Sequence, residues 1–397
     1  MKILAVNAGS SSLKFQMYEM PEEKVLISGV FERIGIDNSF YTIKLNGEKI
    51  RKDVELSNHS VAVGFLTKEL LENNIVDSLD EIKGVGHRVV QGADKFDRTV
   101  IVDENVEKMI SDLSCLAPLH NPAALVGIKA FKEFMPNATH TAVFDTAFHQ
   151  TMPEVAYMYA LPYEWYKDYS VRKYGAHGTS HKYVSLRARE ILGKDDSKII
   201  VCHLGNGGSI SAVVNGKCID TSMGFTPNAG VIMGTRCGDI DASIIPYIMN
   251  VTGMNANDID TAINKKSGLL GISGISSDSR DIEINAENGN KRCILAQEMF
   301  SRRVVEYIAK YYVLMGGADA ICFTAGIGEN SISTRKSIID KLGVLGIKLD
   351  ENANNIRGEE KLITTSDSKI PCYVIPTNEE VMIARDTYNL AMEEKNV

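Results

Sequence analysis

Lys2-Ile3-Leu4-Ala5-Val6-Asn7-Ala8-Gly9-Ser10-Ser11-Ser12-Leu13-Lys14-Phe15-Gln16-Met17-Tyr18 is the stretch on which the fold turns. An apolar run to Asn7 reads as a buried strand. A Gly/Ser tip reads as a tight turn, and the alternation from Leu13 to Tyr18 as a second strand. The pattern returns in Lys198-Ile199-Ile200-Val201-Cys202-His203, the turn Gly205-Asn206-Gly207-Gly208-Ser209, and Ile210-Ser211-Ala212-Val213-Val214. There Asn215-Gly216 is a hairpin turn into Lys217-Cys218-Ile219-Asp220. Gly9 and Gly205 stand 196 positions apart in a chain of 397 residues, close to half its length. Duplication is therefore favoured over two unrelated hairpins, and it implies two equivalent domains around a cleft. Outward from the hairpins, residues 82–90, 139–144, 320–324 and 373–376 read as strands. Residues 61–73, 121–134, 297–315 and 379–392 carry helical periodicity. The expected class is α/β, with mixed rather than purely parallel sheets.

Composition narrows the function classes. Hydrophobic content of 44% and charged content of 24% are ordinary for a globular protein. Lys+Arg number 43 against 51 Asp+Glu, a net charge of −8. That argues against a dedicated nucleic-acid binder but allows a local basic site for a small anion. The opening apolar run is cut by Asn7 and the serines, too early for a signal-peptide core. No apolar run reaches membrane-spanning length. Seven scattered cysteines without a CxxC pair are expected to be reduced and buried, hence cytoplasmic.

Three Gly-rich turns each leave an apolar strand. In Asn7-Ala8-Gly9-Ser10-Ser11-Ser12-Leu13-Lys14, Gly9 allows a positive φ and close backbone approach, and successive N–H groups and hydroxyls would ring a phosphate, with Lys14 on the outgoing strand. Gly205-Asn206-Gly207-Gly208-Ser209 repeats the logic, and Thr324-Ala325-Gly326-Ile327-Gly328-Glu329-Asn330 sets glycines at a strand's C-terminal end. Together they favour a nucleotide phosphate, although neither GxxxxGK[ST] nor GxGxxG occurs. Arg88, Asp145, His177 and Arg236 fall near strand ends or in Gly-flanked segments, and the two arginines would clamp a small anion. His177 and His181 have metal-pair spacing, but no HExxH glutamate or ligand cluster supports zinc. Glu379-Glu380 reads equally as helix-start charge or as magnesium coordination.

At this point the chain resembles the acetate kinases, the acetokinase family, over essentially its whole length. Besides the first turn, the resemblance rests on Gly86-His87-Arg88-Val89-Val90, Pro118-Leu119-His120-Asn121-Pro122 and Val143-Phe144-Asp145-Thr146-Ala147-Phe148-His149. It continues in His177-Gly178-Thr179-Ser180-His181, His203-Leu204-Gly205-Asn206-Gly207 and Met233-Gly234-Thr235-Arg236-Cys237-Gly238-Asp239-Ile240-Asp241. Ala325-Gly326-Ile327-Gly328-Glu329-Asn330 and Thr377-Asn378-Glu379-Glu380 complete it. It implies a duplicated fold of the actin, Hsp70 and sugar-kinase type, a homodimer, and ATP-dependent phosphorylation of acetate to acetyl phosphate. An acyl-side domain would comprise residues 1–149 with 381–397, and a nucleotide-side domain residues 150–380.

By matching position, Arg88 and Arg236 would hold the carboxylate and the transferring phosphoryl group. His177 would stabilise the transition state, and Asp145 would be the catalytic acidic residue. Asn7 and Glu379 would sit at Mg²⁺ or Mn²⁺. Lys14, His203, Leu204, Gly205, Asn206, Gly207, Asp278, Ser279, Arg280, Gly326, Ile327, Gly328, Glu329 and Asn330 would contact ATP or ADP, while Val90, Leu119 and Pro227 would line the methyl pocket. Two departures stand out. Ala176 replaces the family's usual Phe before His177, and Gln91-Gly92-Ala93-Asp94 replaces the commoner His-Gly-Gly-Glu. Losing a phenyl ring from an acyl pocket makes room for methylenes worth only ~1–3 kcal/mol of discrimination each. Acetate against propionate therefore stays open.

A carboxylate acceptor is already ionised at pH 7. It needs alignment and positive charge rather than a base, so Asp145 is expected to position an arginine or hydrated magnesium. A sugar or glycerol kinase would use Asp145 as a base, and a nucleotide-driven binding protein would leave the arginines without a small-anion role.

Overall fold

The computed structural model describes residues 1–118 and 120–395. Leu119 lies outside the described residues. Two compact units form. One is Met1–Gln150 together with the chain from Asn378 onward, and the other is Thr151–Thr377.

In the first unit the strands are β1 (Lys2–Ala8), β2 (Ser12–Glu19), β3 (Lys24–Glu32), β4 (Phe40–Leu45), β5 (Glu48–Asp53), β6 (Ile82–Val89), β7 (Val100–Ile101) and β8 (Thr139–Phe144). Their spatial order is β5-β4-β3-β2-β1-β6-β8-β7. β1 pairs antiparallel with β2 and parallel with β6, and β6 pairs parallel with β8. Helices His59–Glu72 and Asn121–Phe134 pack with the sheet around Leu4, Phe15, Phe31, Leu66 and Phe131. The final helix, Glu379–Lys395, packs on β6. Gly86 permits that approach, because a Cβ there would meet Thr387 Oγ1 at 2.3 Å and Ile383 Cγ2 at 2.4 Å.

The second unit holds β9 (Lys198–Leu204), β10 (Gly208–Val214), β11 (Lys217–Thr221), β12 (Ala320–Thr324), β13 (Lys361–Leu362) and β14 (Cys372–Val374). Their order is β11-β10-β9-β12-β14-β13. Here β9 pairs antiparallel with β10 and parallel with β12, and β12 pairs parallel with β14. The run β3-β2-β1-β6-β8 thus has the same order and pairing sense as β11-β10-β9-β12-β14. The expected mixed sheets and duplicated plan are both present. Helix Lys291–Met315 lays Cys293, Ala296, Phe300, Val304 and Ile308 on this core.

Several expectations need correction. Gly9 and Gly205 are not among the residues with positive φ. At Gly9 the constraint is space, since a Cβ would lie 2.9 Å from Ser12 Oγ, below Gly9 N–H donating to Ser12 O at 2.8 Å. The segment read as a turn after β12 is a short helix, Ala325–Asn330. The last strand runs Cys372–Val374 rather than 373–376, because Pro376 has no N–H to extend a ladder. Helix starts shift to their caps, with Asn58 Oδ1 accepting from Val61 N–H and Asn290 Oδ1 from Arg292 and Cys293 N–H. Not every cysteine is buried: Cys115 is exposed and Cys237 partly so, and none of the seven forms a disulfide among the described residues. Among the described residues no helix is long and apolar enough to cross a membrane.

Candidate active site

The first unit gathers charge at the C-terminal ends of β1, β6 and β8. Arg88, near the end of β6, forms a fork with Asp145 just past β8: Nε donates to Oδ1 at 2.9 Å and Nη2 to Oδ2 at 2.7 Å. Asp145 is 2% exposed. This pairing holds the Arg88 guanidinium above its ordinary range. Asn7 and Lys14 face each other across β1 and β2, and Lys14 Nζ pairs with Glu380. Asn378 caps the final helix, its Oδ1 accepting from Val381 N–H at 3.1 Å. The capping is thus done by an amide, and Glu379 enters the same acidic group. Burial first, then the nearby Asp145 and Glu380 charges, raise Glu379 to about 7 against the pull of Arg88. A cavity of ≈ 370 Å³ is bordered by Asn7, Gly9, Ser12, Lys14, Arg88 and Val90. Lys14, expected at ATP, therefore lines the cavity that also holds Arg88 and Val90. Val30, His120 and Ala124 complete that wall and were not anticipated.

The second unit presents a larger cavity of ≈ 580 Å³, within the range of nucleotide-sized pockets. Of the residues expected at ATP, it is bordered by Gly205, Asn206, Asp278, Ser279, Arg280, Gly326, Ile327 and Asn330. Its wall also carries Gly234, Leu269, Ser277, Glu283, Ser331 and Arg357, which sequence reading missed. Glu283 was within reach, lying one turn beyond Ser279 on helix Ser279–Glu287. Gly234 is obligatory, since a Cβ there would fall 1.8 Å from Asn206 Oδ1.

Leu204, Gly328 and Glu329, also expected at ATP, are not among the residues bordering this cavity. Leu204 is fully buried in the core. Glu329 accepts from Ala325 N–H at 2.8 Å and Thr377 N–H at 3.0 Å, tying two strand ends together. Gly328 O accepts from the buried Arg335, whose guanidinium also donates to Asn354 and to Ile356 O. Arg335 thereby fixes helix Ala325–Asn330 against the segment leading to Arg357.

His177 has φ +59° and precedes helix Gly178–Leu192. A methyl placed at Gly207 would lie 3.5 Å from Arg236 Nη1 and 3.6 Å from His177 Nε2, so both groups border one point. His203 stacks on His177 with ring centroids 4.1 Å apart. Arg236 Nη1 donates to Pro227 O at 3.2 Å. Burial alone lowers the Arg236 guanidinium, and among the described residues no ion pair neutralises it. The two arginines are therefore unlike: Arg88 is satisfied by a carboxylate and Arg236 is left with its charge. Ala176 is buried with Met223 and Met233.

With that geometry in view, the family profile described as "Acetokinase family" matches residues 2–385. The chain belongs to the acetokinase family. It is 57% identical to an acetate kinase of Geobacillus sp. (strain WCH70) over 392 residues, covering 98% of this chain and 99% of that protein. Among solved structures, the acetate kinase of Porphyromonas gingivalis superposes with a TM-score of 0.93 at 44% identity, covering 98% of this chain and 99% of that one. A propionate kinase of Francisella tularensis gives 0.92 at 44% identity, with the same coverage.

Proposed function

We propose that this chain phosphorylates acetate with ATP, reversibly, to acetyl phosphate and ADP. What carries the reading is identity above one half with acetate kinases along nearly the whole chain. The chemistry fits the residues. Acetate at pH 7 is an anion, and so is the γ-phosphate, so the barrier is repulsion rather than proton removal. Asp145 spends both oxygens on Arg88. That supports a positioning role for it and disfavours the base that a sugar kinase would require. Arg88 then orients the carboxylate, while Arg236 and His177 meet charge that develops on the phosphoryl oxygens. Val90 and Pro227 serve as candidates for the methyl contacts. The cavity bordered by Asn206, Asp278 and Gly326 is the candidate adenosine site.

The donor set also suits a hard divalent cation. Among the described residues no group of His, Cys, Asp or Glu forms a complete metal centre. Magnesium bound with phosphates usually needs only one or two protein carboxylates. Asn7 and the Glu379 carboxylate would hold it, and when bound it neutralises phosphate charge.

A homodimer is also part of the reading. Helix Ile244–Thr252 has no buried residue, and Ile244, Tyr247 and Val251 are 48%, 64% and 59% exposed. Such a patch suits a second copy. Free thiols and use of ATP favour the cytoplasm.

Hydroxylamine trapping of acyl phosphate from ATP, Mg²⁺ and acetate is the test. Formation of acetyl hydroxamate is expected, with propionate as a comparison acceptor. Phosphorylation of sugars or glycerol without hydroxamate would overturn the reading.

A further inference from the structure

Behind His177 lies a chain of buried hydroxyls and imidazoles. Ser209 Oγ stands 2.9 Å from His177 Nδ1 and 2.7 Å from His181 Nε2. Ser211 Oγ stands 2.7 Å from His181 Nδ1. Ser209, Ser211 and His181 are each 0% exposed, so bulk water does not compete for these contacts. The arrangement comes from two periodicities. Residues two apart on β10 share a face, and His181 stands one turn beyond His177, the residue that precedes helix Gly178–Leu192, its N–H donating to His177 O at 3.0 Å.

We infer that Ser209, His181 and Ser211 are positioning residues that orient the His177 ring and fix which of its nitrogens carries the proton. The inference rests on the reading of His177 as a donor to the phosphoryl group. A serine hydroxyl has one proton, so Ser209 donates to one ring and accepts from the other. That leaves two polarities for neutral rings. In the first, Ser211 O–H donates to His181 Nδ1, His181 Nε2–H to Ser209 Oγ, and Ser209 O–H to His177 Nδ1. The His177 proton then sits on Nε2, the nitrogen beside Gly207 and Arg236. The second polarity reverses every bond and turns an Nε2 lone pair toward phosphoryl oxygens, where it repels. Only the first serves an anionic reactant, and a serine at the far end can supply the proton that starts it. His203 supports the same geometry from the side. Its ring stacks on His177, and its Nδ1 lies 2.8 Å from Ser180 Oγ, which accepts from Thr377 Oγ1–H at 2.8 Å.

The test uses the full-length enzyme with ¹⁵N-labelled histidine. The wild type is expected to show His177 as the Nε2–H tautomer. Ser209→Ala is expected to yield a mixture and to lower kcat about tenfold or more, short of the ~10²–10³ for losing a preorganised donor outright. KM for ATP and acetate should stay within about twofold. Ser209→Thr, which keeps the hydroxyl, should restore both tautomer and kcat. If Ser209→Ala does not fold, Ser211→Ala is read in the same way. A wild-type Nδ1–H tautomer, or an unchanged His177 spectrum and kcat in these alanine variants, would overturn the inference. Full activity in His177→Ala would instead remove the functional reading of His177 and leave the tautomer result standing.

Discussion

At the scale of single residues, Arg88 and Arg236 separate structure from catalysis. Removing Arg236 discards a partly buried cation that, among the described residues, no carboxylate neutralises. Arg236→Ala should therefore lower kcat by ~10²–10³ with little loss of stability. Arg88→Ala leaves the Asp145 carboxylate buried and unpaired, and should cost about 3 kcal/mol as well as activity. Steady-state kinetics and urea denaturation of both variants check this, and a wild-type kcat for Arg236→Ala would remove that residue from the mechanism. Ala176 is a different case. From the sequence, a missing phenyl ring reads as extra room for a longer acyl chain, and Ala176→Phe as a way to raise acetate over propionate selectivity. The structure surrounds Ala176 with Met223 and Met233, both 0% exposed. A ring introduced there must displace methionine, so Ala176→Phe should destabilise the protein by ~1–3 kcal/mol. Pairing it with Met233→Ala should recover part of the loss. Thermal melts and kcat/KM for both acids measure the two effects, and undiminished stability would show that the space is open after all.

At the scale of elements, β6 and β8 carry a buried histidine pair unrelated to the nucleotide. His87 Nε2 lies 3.1 Å from His140 Nδ1, and His140 Nε2 donates to Met135 O at 3.0 Å. With both rings neutral, His140 Nδ1 accepts from His87 Nε2–H. Burial holds both below the ordinary histidine value, His87 well below it. For a base depressed in the native state, the unfolded chain binds the proton first. Stability is fully present above about pH 6.5 and declines as pH falls below it, by up to ~1.4 kcal/mol per pH unit for each ring. Glu379 acts in the opposite sense, because its raised value favours the native state at low pH and loses that contribution as pH rises through about 7. Urea midpoints from pH 7.5 to 5.5, compared with the doubly substituted His87→Leu, His140→Leu protein, isolate the pair. Equal slopes in both proteins would refute the assignment. Positioning of this kind recurs in Glu329 and Arg335, which hold helix Ala325–Asn330 from behind the cavity wall.

At the scale of the whole molecule, the repeated strand order and the exposed apolar helix matter most. Ile244, Tyr247 and Val251 should be covered by a second copy, so Ile244→Asp with Val251→Asp should yield a monomer in sedimentation velocity. A wild type that is already monomeric at micromolar concentration would contradict the dimer. The repeat itself was legible because each hairpin writes its period-two pattern and Gly/Ser tip locally. Strands β3, β4 and β5 were not read, since β4 and β5 are short and β5 is largely exposed with Glu48, Lys49, Arg51, Lys52 and Asp53 in a six-residue span.

What the sequence determined by itself was the set of locally encoded signals: the twin hairpins, the apolar strands ending in Arg88 and Asp145, and the glycines around 205 and 326. Turn chemistry and side-chain period depend on neighbours a few residues away, and these can be read along the chain. The tertiary structure alone decided which charges survive. Nothing in the spacing of Arg88 and Arg236 says that one meets Asp145, 57 positions away, while the other meets no carboxylate among the described residues. Nor does it say that Ser209 joins two histidines across a strand and a helix. Electrostatic free energy depends on distance through space and on burial, and both are set only when remote segments pack.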